Sequence, residues 1–277
     1  MNLVTATLPT FGAQLREWRQ RRRLSQLDLA GDAEVSTRHL SFVETGRATP
    51  SREMVLRLAD RLEVPLRERN RLLTAAGYAP MYAERGLDDP ALAAARDALA
   101  QLLKAHEPYP ALAVDRHWNL LAHNAAAAPL LGLGVAAALL QPPVNVLRVS
   151  LHPQGLAPRI VNLAQWRAHL IERVRHQVAV TADATLAALL QELLGYPAPV
   201  LDDAAAHASG PALANSIVVP LVLDTPLGTL SLISTMTVFG TPVEITLSEL
   251  ALETFFPADA ATAAILHAAA RSERVSA

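Results

Sequence analysis

Two short helices joined by a tight turn, between residues 25 and 46, constrain the fold of the N-terminal part most strongly. Ser25 precedes an apolar helical stretch, and Asp28 follows three residues later, at the spacing of a capping box. Ser36 is placed to cap a second helix, and Gly46 stands where a C-terminal cap glycine belongs. With helical segments before and after them, these two helices predict an all-α domain of five helices.

The second of these helices has an outer face suited to contact with DNA. The side chains expected to point inward are Leu27, Ala30, Val35, Leu40 and Val43. In a helix-turn-helix the second helix enters the major groove N-terminus first, where an Arg such as Arg38 can donate two hydrogen bonds to guanine. The candidate DNA-binding residues are Gln26, Ser36, Thr37, Arg38, Ser41, Phe42 and Arg47.

Charge is distributed unevenly along the chain. Residues 1–86 contain 14 Arg and 10 acidic residues, whereas residues 87–277 contain 10 basic and 16 acidic residues. The formal net charge of −2 for the whole chain therefore hides a basic N-terminal part and an acidic body. A basic part of this kind favours a polyanionic partner such as double-stranded DNA.

The N-terminal segment also resembles a known family. The stretches that carry the resemblance are LSQLDLA at 24–30, VS at 35–36, FVETGR at 42–47 and PS at 50–51. Over about residues 11–77 they resemble the Cro/repressor-type (XRE) helix-turn-helix family. The resemblance implies a buried ion pair between Arg19 and Glu44 that joins the first helix to the end of the third. The alternative is a helical bundle that binds only protein.

Composition excludes several classes of protein. A length of 277 residues predicts two domains at about 150 residues each, and a hydrophobic content of 51% excludes wholesale disorder. Without Cys there are no disulfides, thiolate zinc sites or iron–sulfur clusters. The longest apolar stretch, residues 125–140, is too short to span a bilayer, and no secretory signal is visible. We expect a soluble protein with no membrane partner.

The hydrophobic pattern changes its period after residue 108. Strands are predicted at 111–115, 118–123, 216–223, 228–239 and 249–256, with a hairpin turn at 224–227. In the last of these segments, Glu249 and Glu253 would equally suit the face of a helix. Helices are predicted at 144–151, 160–178 and 184–194, and after a cap at Asp259. This order predicts an α+β domain with a mainly antiparallel sheet. A connector helix at 90–106 has an apolar stripe that packs either on its own domain or in a dimer.

No catalytic template fits the chain. It has no phosphate-binding glycine loop, no nucleophile elbow and no helical zinc motif with two His residues. His169, Glu172 and His176 share a helix, but their spacing is common on solvated faces. We therefore expect no enzyme, no catalytic residue, no metal site and no cofactor.

An apolar stretch with a few polar inserts is the strongest candidate for a ligand site. Asn145 and Arg148 share one helical face, and an Arg in such surroundings needs a carboxylate. That carboxylate belongs either to a ligand or to the protein, for example to Glu253. The candidate ligand-binding residues are Asn145, Leu147, Arg148, Trp166, Leu170, Ser231 and Phe239.

The C-terminal part resembles the MmyB-like ligand-binding domain of bacterial transcription regulators over about residues 108–270. The most specific stretches are TMTVFGTP at 235–242 and ETFFPAD at 253–259; the others lie at 109–115, 118–119 and 145–148. That family is similar to PAS domains, so the resemblance implies a five-stranded antiparallel sheet packed by helices. It also implies a pocket for a small apolar or fatty-acid-like molecule.

These observations predict a sequence-specific transcription regulator of the bacterial cytoplasm, controlled by a small apolar or fatty-acid-like ligand. Its expected parts are a DNA-binding domain at 1–80, a connector helix at 81–107, a ligand-binding domain at 108–270 and a tail at 271–277. Because one helix-turn-helix contacts few base pairs, we expect a homodimer. Two alternatives stay open: a C-terminal domain that only dimerises or binds a protein partner, and an enzyme tethered to DNA.

Overall fold

A computed structural model describes residues 9–197, 218–240 and 242–276 of the chain. The described part divides into two compact units. The first unit holds the described residues up to Arg85, together with residues 179–181 and 242–248. The second unit holds the remaining described residues.

The first unit contains the five predicted helices. They are α1 (Phe11–Arg21), α2 (Gln26–Asp32), α3 (Thr37–Glu44), α4 (Arg52–Arg61) and α5 (Leu66–Ala75). Side-chain oxygens of Thr10, Ser25, Ser36 and Ser51 accept hydrogen bonds from backbone N–H groups at the starts of the first four helices. Ser25 and Asp28 form the complete capping box, so both serine caps of the helix-turn-helix are confirmed.

Helix α2 faces the core differently from the sequence prediction. Leu29, Ala30 and Ala33 are buried, whereas Leu27 is 69% exposed, so the inward orientation predicted for Leu27 is wrong. Successive residues of a helix are rotated by about 100°, and the three buried residues fix an inward direction from which Leu27 is rotated by roughly a third of a turn. Gln26 lies on that inward direction instead.

The chain after Arg85 contributes seven helices and five strands to the described part. The helices are α6 (Ala93–Ala105), α7 (Ala128–Leu131), α8 (Val146–Leu151), α9 (Leu163–Thr181), α10 (Ala184–Gly195), α11 (Ile245–Ser248) and α12 (Ala260–Ser276). The strands are β1 (Ala111–Val114), β2 (Leu120–His123), β3 (Leu221–Thr225), β4 (Gly228–Val238) and β5 (Ala251–Pro257). Asp259 caps α12 by accepting a hydrogen bond from the backbone N–H of Thr262, as predicted.

The five strands form one antiparallel sheet in the order β2-β1-β5-β4-β3. The predicted fold class, a five-helix domain followed by a PAS-like α+β domain, is confirmed. Strands β3 and β4 pair up to Thr225 opposite Gly228, so the hairpin loop consists of Pro226 and Leu227. Strand β3 begins at Leu221, and residues 216 and 217 of the predicted strand lie outside the described residues.

The two faces of the sheet have separate hydrophobic cores. One face carries Leu112, Leu223, Leu232 and Phe255, which pack with helices α8, α9 and α10. The other face carries Ala111, Ala113 and Leu252, which pack with Leu99 and Leu103 of α6. The connector helix α6 therefore packs Leu99 and Leu103 on its own unit, whereas its Leu102 is exposed. The first face positions the cavity described below.

Candidate functional site

Helix α3 presents the predicted DNA-reading side chains at its surface. Arg38 is exposed, while Thr37, Ser41 and Phe42 are half-buried. The Arg38 guanidinium carbon lies 5.4 Å from the centroid of the Phe42 ring, within the range of a cation–π contact. Arg47 is exposed just beyond the helix. The structure thus brings together a cation, an aromatic ring and two hydroxyls on the outer face of α3.

Two of the predicted DNA-binding residues are engaged within the protein. The Ser36 hydroxyl accepts a hydrogen bond of 3.1 Å from the backbone N–H of His39, because Ser36 caps α3. The side-chain amide of Gln26 donates a hydrogen bond of 2.7 Å to Glu44 Oε2. His39, which follows Arg38 on α3, is also exposed.

Glu44 joins α1, α2 and α3 at the base of the helix-turn-helix. Arg19 donates two hydrogen bonds to its carboxylate, with Nε 2.7 Å from Oε1 and Nη2 3.0 Å from Oε2. The ion pair that the family resemblance implied is therefore present, and the Glu44 side chain is fully buried. Burial acts to raise the pKa of Glu44, but hydrogen bonds from Arg19, Gln26 and Arg16 outweigh it, so the pKa lies below its ordinary value.

An apolar cavity of about 70 Å³ lies in the second unit, on the face of the sheet that packs with α8, α9 and α10. Leu147, Trp166 and Leu170, three of the predicted ligand-binding residues, line it. Helix α7 and strands β1, β3, β4 and β5 complete its wall. These strands meet in space only after the sheet has formed, so sequence periodicity could not identify their contribution.

The polar groups on the cavity wall belong to Ser150, Glu253 and one indole. The Trp166 indole Nε1–H donates a hydrogen bond of 3.0 Å to the Ser150 hydroxyl. Arg173 Nη1 lies 3.0 Å from Glu253 Oε1, and burial raises the pKa of Glu253 against the opposing effect of Arg173. Glu253 is the one ionisable residue among those that line the cavity. The cavity therefore offers a non-polar molecule extensive contact and few polar partners.

Arg148 does not line the cavity. It forms a two-pronged ion pair with Glu192, with Nε 2.8 Å from Oε1 and Nη2 2.7 Å from Oε2. The Tyr196 hydroxyl donates a further hydrogen bond to Glu192. The hydrogen bonds that Arg148 donates to Glu192 raise the pKa of Arg148 and lower the pKa of Glu192. The carboxylate that Arg148 needs is thus supplied by the protein, by Glu192 rather than Glu253.

Three other predicted ligand-binding residues also lie outside the cavity. Asn145 caps α8, and its amide donates to the backbone oxygen of His117. Ser231 alternates with Leu230 and Leu232 along β4, so its side chain points to the opposite face of the sheet. Phe239 packs with the core on the α6 face. The spacing of apolar residues in the sequence identified α8 and α9 as cavity-lining helices, but it did not identify which face of β4 lines the cavity.

Among the described residues, no three His, Asp or Glu side chains are placed to hold a metal ion. His169, Glu172 and His176 therefore do not form such a group. His169 packs on Trp166 with ring centroids 5.5 Å apart, and burial lowers the pKa of His169. In the same part of the chain, no helix is both long and apolar enough to cross a membrane.

Comparison with known families matches both units of the chain. Residues 10–72 match the model of a helix-turn-helix domain. Residues 95–269 match the model of the MmyB-like transcription regulator ligand binding domain, which covers more than half of the chain. No curated protein matches the chain. The chain is a helix-turn-helix transcription regulator and belongs to the family with an MmyB-like ligand-binding domain.

Proposed function

We propose that this protein is an XRE-type regulator whose DNA affinity is controlled by a small apolar or fatty-acid-like molecule bound in the C-terminal domain. The observation that carries the proposal is the apolar cavity lined by Leu147, Trp166 and Leu170 within the segment that matches a ligand-binding family. A protein that used this domain only for dimerisation would have no need of the cavity, since empty cavities cost stability.

We propose that the DNA contacts are made by α3 and by Arg47, which follows it. Thr37, Arg38, Ser41 and Phe42 face the bases, and Arg47 contacts a phosphate. Gln26 and Ser36 contribute indirectly, by holding the helices in place. The Gln26 side chain is bonded to Glu44, and the Ser36 side chain caps α3. Two copies of the chain place their α3 helices about 34–36 Å apart on half-sites one helical turn apart, in the bacterial cytoplasm.

The ligand's buried part is uncharged in this proposal. A carboxylate inside the cavity would face Glu253 and meet no cation on the cavity wall, since Arg148 is paired with Glu192 outside it. Removing a charge from water costs several kcal/mol unless a partner compensates, by roughly the effective penalty for a buried ion. A fatty-acid-like ligand therefore buries its chain and keeps its headgroup outside the cavity.

Calorimetric titration of the full-length protein with 1-decanol and with decanoate tests this proposal. We expect the alcohol to bind more tightly than the carboxylate. Leu170→Phe, which fills the cavity, should weaken alcohol binding by at least about tenfold, equivalent to losing contact with two methylenes. Val161→Phe is the matched control, because Val161 is exposed and does not line the cavity.

Two results of this titration would overturn the proposed function. If neither compound binds, the C-terminal domain serves dimerisation or a protein partner. If decanoate binds more tightly than 1-decanol and Arg148→Ala removes that preference, the ligand's headgroup is anchored at Arg148 and the uncharged cavity is the wrong site.

A further inference from the structure

A second apolar chamber lies beside the cavity in the same unit. It is a groove of about 210 Å³ between the β3–β4 hairpin, helix α12 and the α7 region. Its wall is almost entirely non-polar; the main contributors are Pro129, Leu133, Leu227, Leu230, Ile265 and Leu266. The Thr225 hydroxyl, which also lies on the wall, donates its hydrogen bond to the backbone oxygen of Gly228. The groove thus has the same chemistry as the cavity.

The short helix α7 and its flanking turns separate the two chambers. Ala127 and Leu131 line the cavity, while Pro129 and Leu133 line the groove. Leu130 lines both. Leu130 is therefore shared by the walls of the cavity and the groove.

Helix α7 is short, and none of its four residues is fully buried. It continues a 3₁₀ turn, Ala125–Ala127, that is capped by Asn124, and its Leu130 and Leu131 are half-buried against the core. Segments with few buried contacts open at low free-energy cost compared with core elements. The partition between the chambers is thus made by a short helix with no fully buried residue.

The chamber volumes limit what each can hold. The cavity, at about 70 Å³, is smaller than the roughly 150 Å³ engineered cavity that admits benzene. The cavity and groove together offer about 280 Å³, close to the roughly 300 Å³ at which ligand pockets begin. A linear aliphatic chain of more than a few carbons is too large for the cavity alone.

We propose that Leu130 is a specificity-determining residue: it controls passage between the two chambers, and an unbranched aliphatic chain occupies the cavity and the groove together. The inference rests on the proposed function, because it assigns the shape of the ligand of that same site. It predicts that ligand affinity depends on chain length in two regimes, with short chains held by the cavity alone and long chains held by both chambers.

The test is a calorimetric series of linear primary alcohols from 1-butanol to 1-dodecanol on the full-length protein. In the unmodified protein, affinity should rise by roughly fourfold per added methylene until both chambers are full. Leu130→Trp, which blocks the passage, should weaken 1-dodecanol binding by at least about tenfold and lower the chain length beyond which affinity stops rising.

Leu227→Asp provides a second variant at a surface position. Leu227 is 64% exposed and lines only the groove, so the substitution should fold and should also weaken only the long alcohols. Leu121→Asp is its control, because Leu121 is exposed and lines neither chamber. Equal effects of Leu227→Asp and Leu121→Asp at every chain length, with 1-butanol or 1-hexanol still bound, would overturn the two-chamber site alone. A protein that binds no alcohol of any length would overturn the proposed function as well.

Discussion

Arg38 and Arg47 are both exposed, and we propose that they make different kinds of DNA contact. Arg38 lies on α3 with its guanidinium over the Phe42 ring, which holds the cation at the outer face of the helix. Arg47 follows the end of α3, and its backbone N–H donates to the backbone oxygen of Phe42. A side chain on the helix can reach base edges, whereas one beyond its C-terminal end is placed for the phosphate backbone.

Substituting these two residues should therefore have different effects. With a site selected from a random duplex library, Arg38→Ala should cost about 1–3 kcal/mol and relax the preference at one base position. Arg47→Ala should weaken all sequences alike and reduce the slope of log affinity against log salt by about one. Fluorescence anisotropy at several salt concentrations measures both. Retention of full affinity and specificity by both variants would contradict the assignment of α3.

At the scale of elements, the helix-turn-helix depends on one buried carboxylate. Glu44, at the end of α3, accepts hydrogen bonds from Arg19 of α1 and from Gln26 at the start of α2. These contacts lie between helices rather than within them, so the local caps cannot replace them. Helix α3 is held in place by this carboxylate as well as by its apolar residues.

Glu44→Gln should lower the free energy of unfolding by about 3 kcal/mol at pH 7, because it leaves the Arg19 charge buried without its partner. The pKa of Glu44 is lowered in the folded protein, so its stabilisation is present above the ordinary Glu pKa and is lost as pH falls through the folded value. The difference between the two proteins in urea unfolding should therefore shrink below about pH 4.

Glu53→Gln is the matched control for that measurement. Glu53 is 84% exposed and pairs with Arg57 at the surface of α4, where ion pairs contribute roughly 0–1 kcal/mol. If Glu44→Gln and Glu53→Gln cost the same, or if the Glu44→Gln difference grows as the pH falls, the buried ion pair does not have the role assigned to it.

The sequence predicted elements whose signals are local. Ser25, Ser36 and Asp259 cap helices within three residues of themselves, and each was predicted correctly. Leu27 was misplaced because α2 has only seven residues, too few turns for its periodicity to fix an inward direction. Partners distant along the chain were also missed. Arg148 meets Glu192 44 residues away, and no pattern within α8 indicates that choice.

The cavity was predicted only in part for the same reason. Leu147, Trp166 and Leu170 lie on helices whose apolar faces are visible in the sequence. Leu112 and Glu253, which also line it, are neighbours because β1 pairs with β5 across more than a hundred residues. The sequence therefore indicated the apolar helices over the sheet but not the sheet face that closes the cavity.

For the whole molecule, ligand binding matters only if it changes how the chain binds DNA. A ligand shifts an equilibrium between two arrangements only by its difference in affinity for them. An alcohol that binds the cavity with equal affinity in the DNA-bound and free protein would leave DNA affinity unchanged. Regulation thus requires a coupling free energy, typically about 1–3 kcal/mol, between the ligand site and the DNA site.

The DNA affinity of the full-length protein, measured with and without saturating 1-dodecanol, tests the central claim most directly. The duplex should carry two selected half-sites one helical turn apart, and Leu170→Phe should serve as the variant with a filled cavity. We predict at least about a fivefold change in DNA affinity for the unmodified protein, a much smaller change for Leu170→Phe, and the reciprocal change in alcohol affinity when DNA is present. An unchanged DNA affinity under conditions where calorimetry shows the alcohol bound would contradict the account.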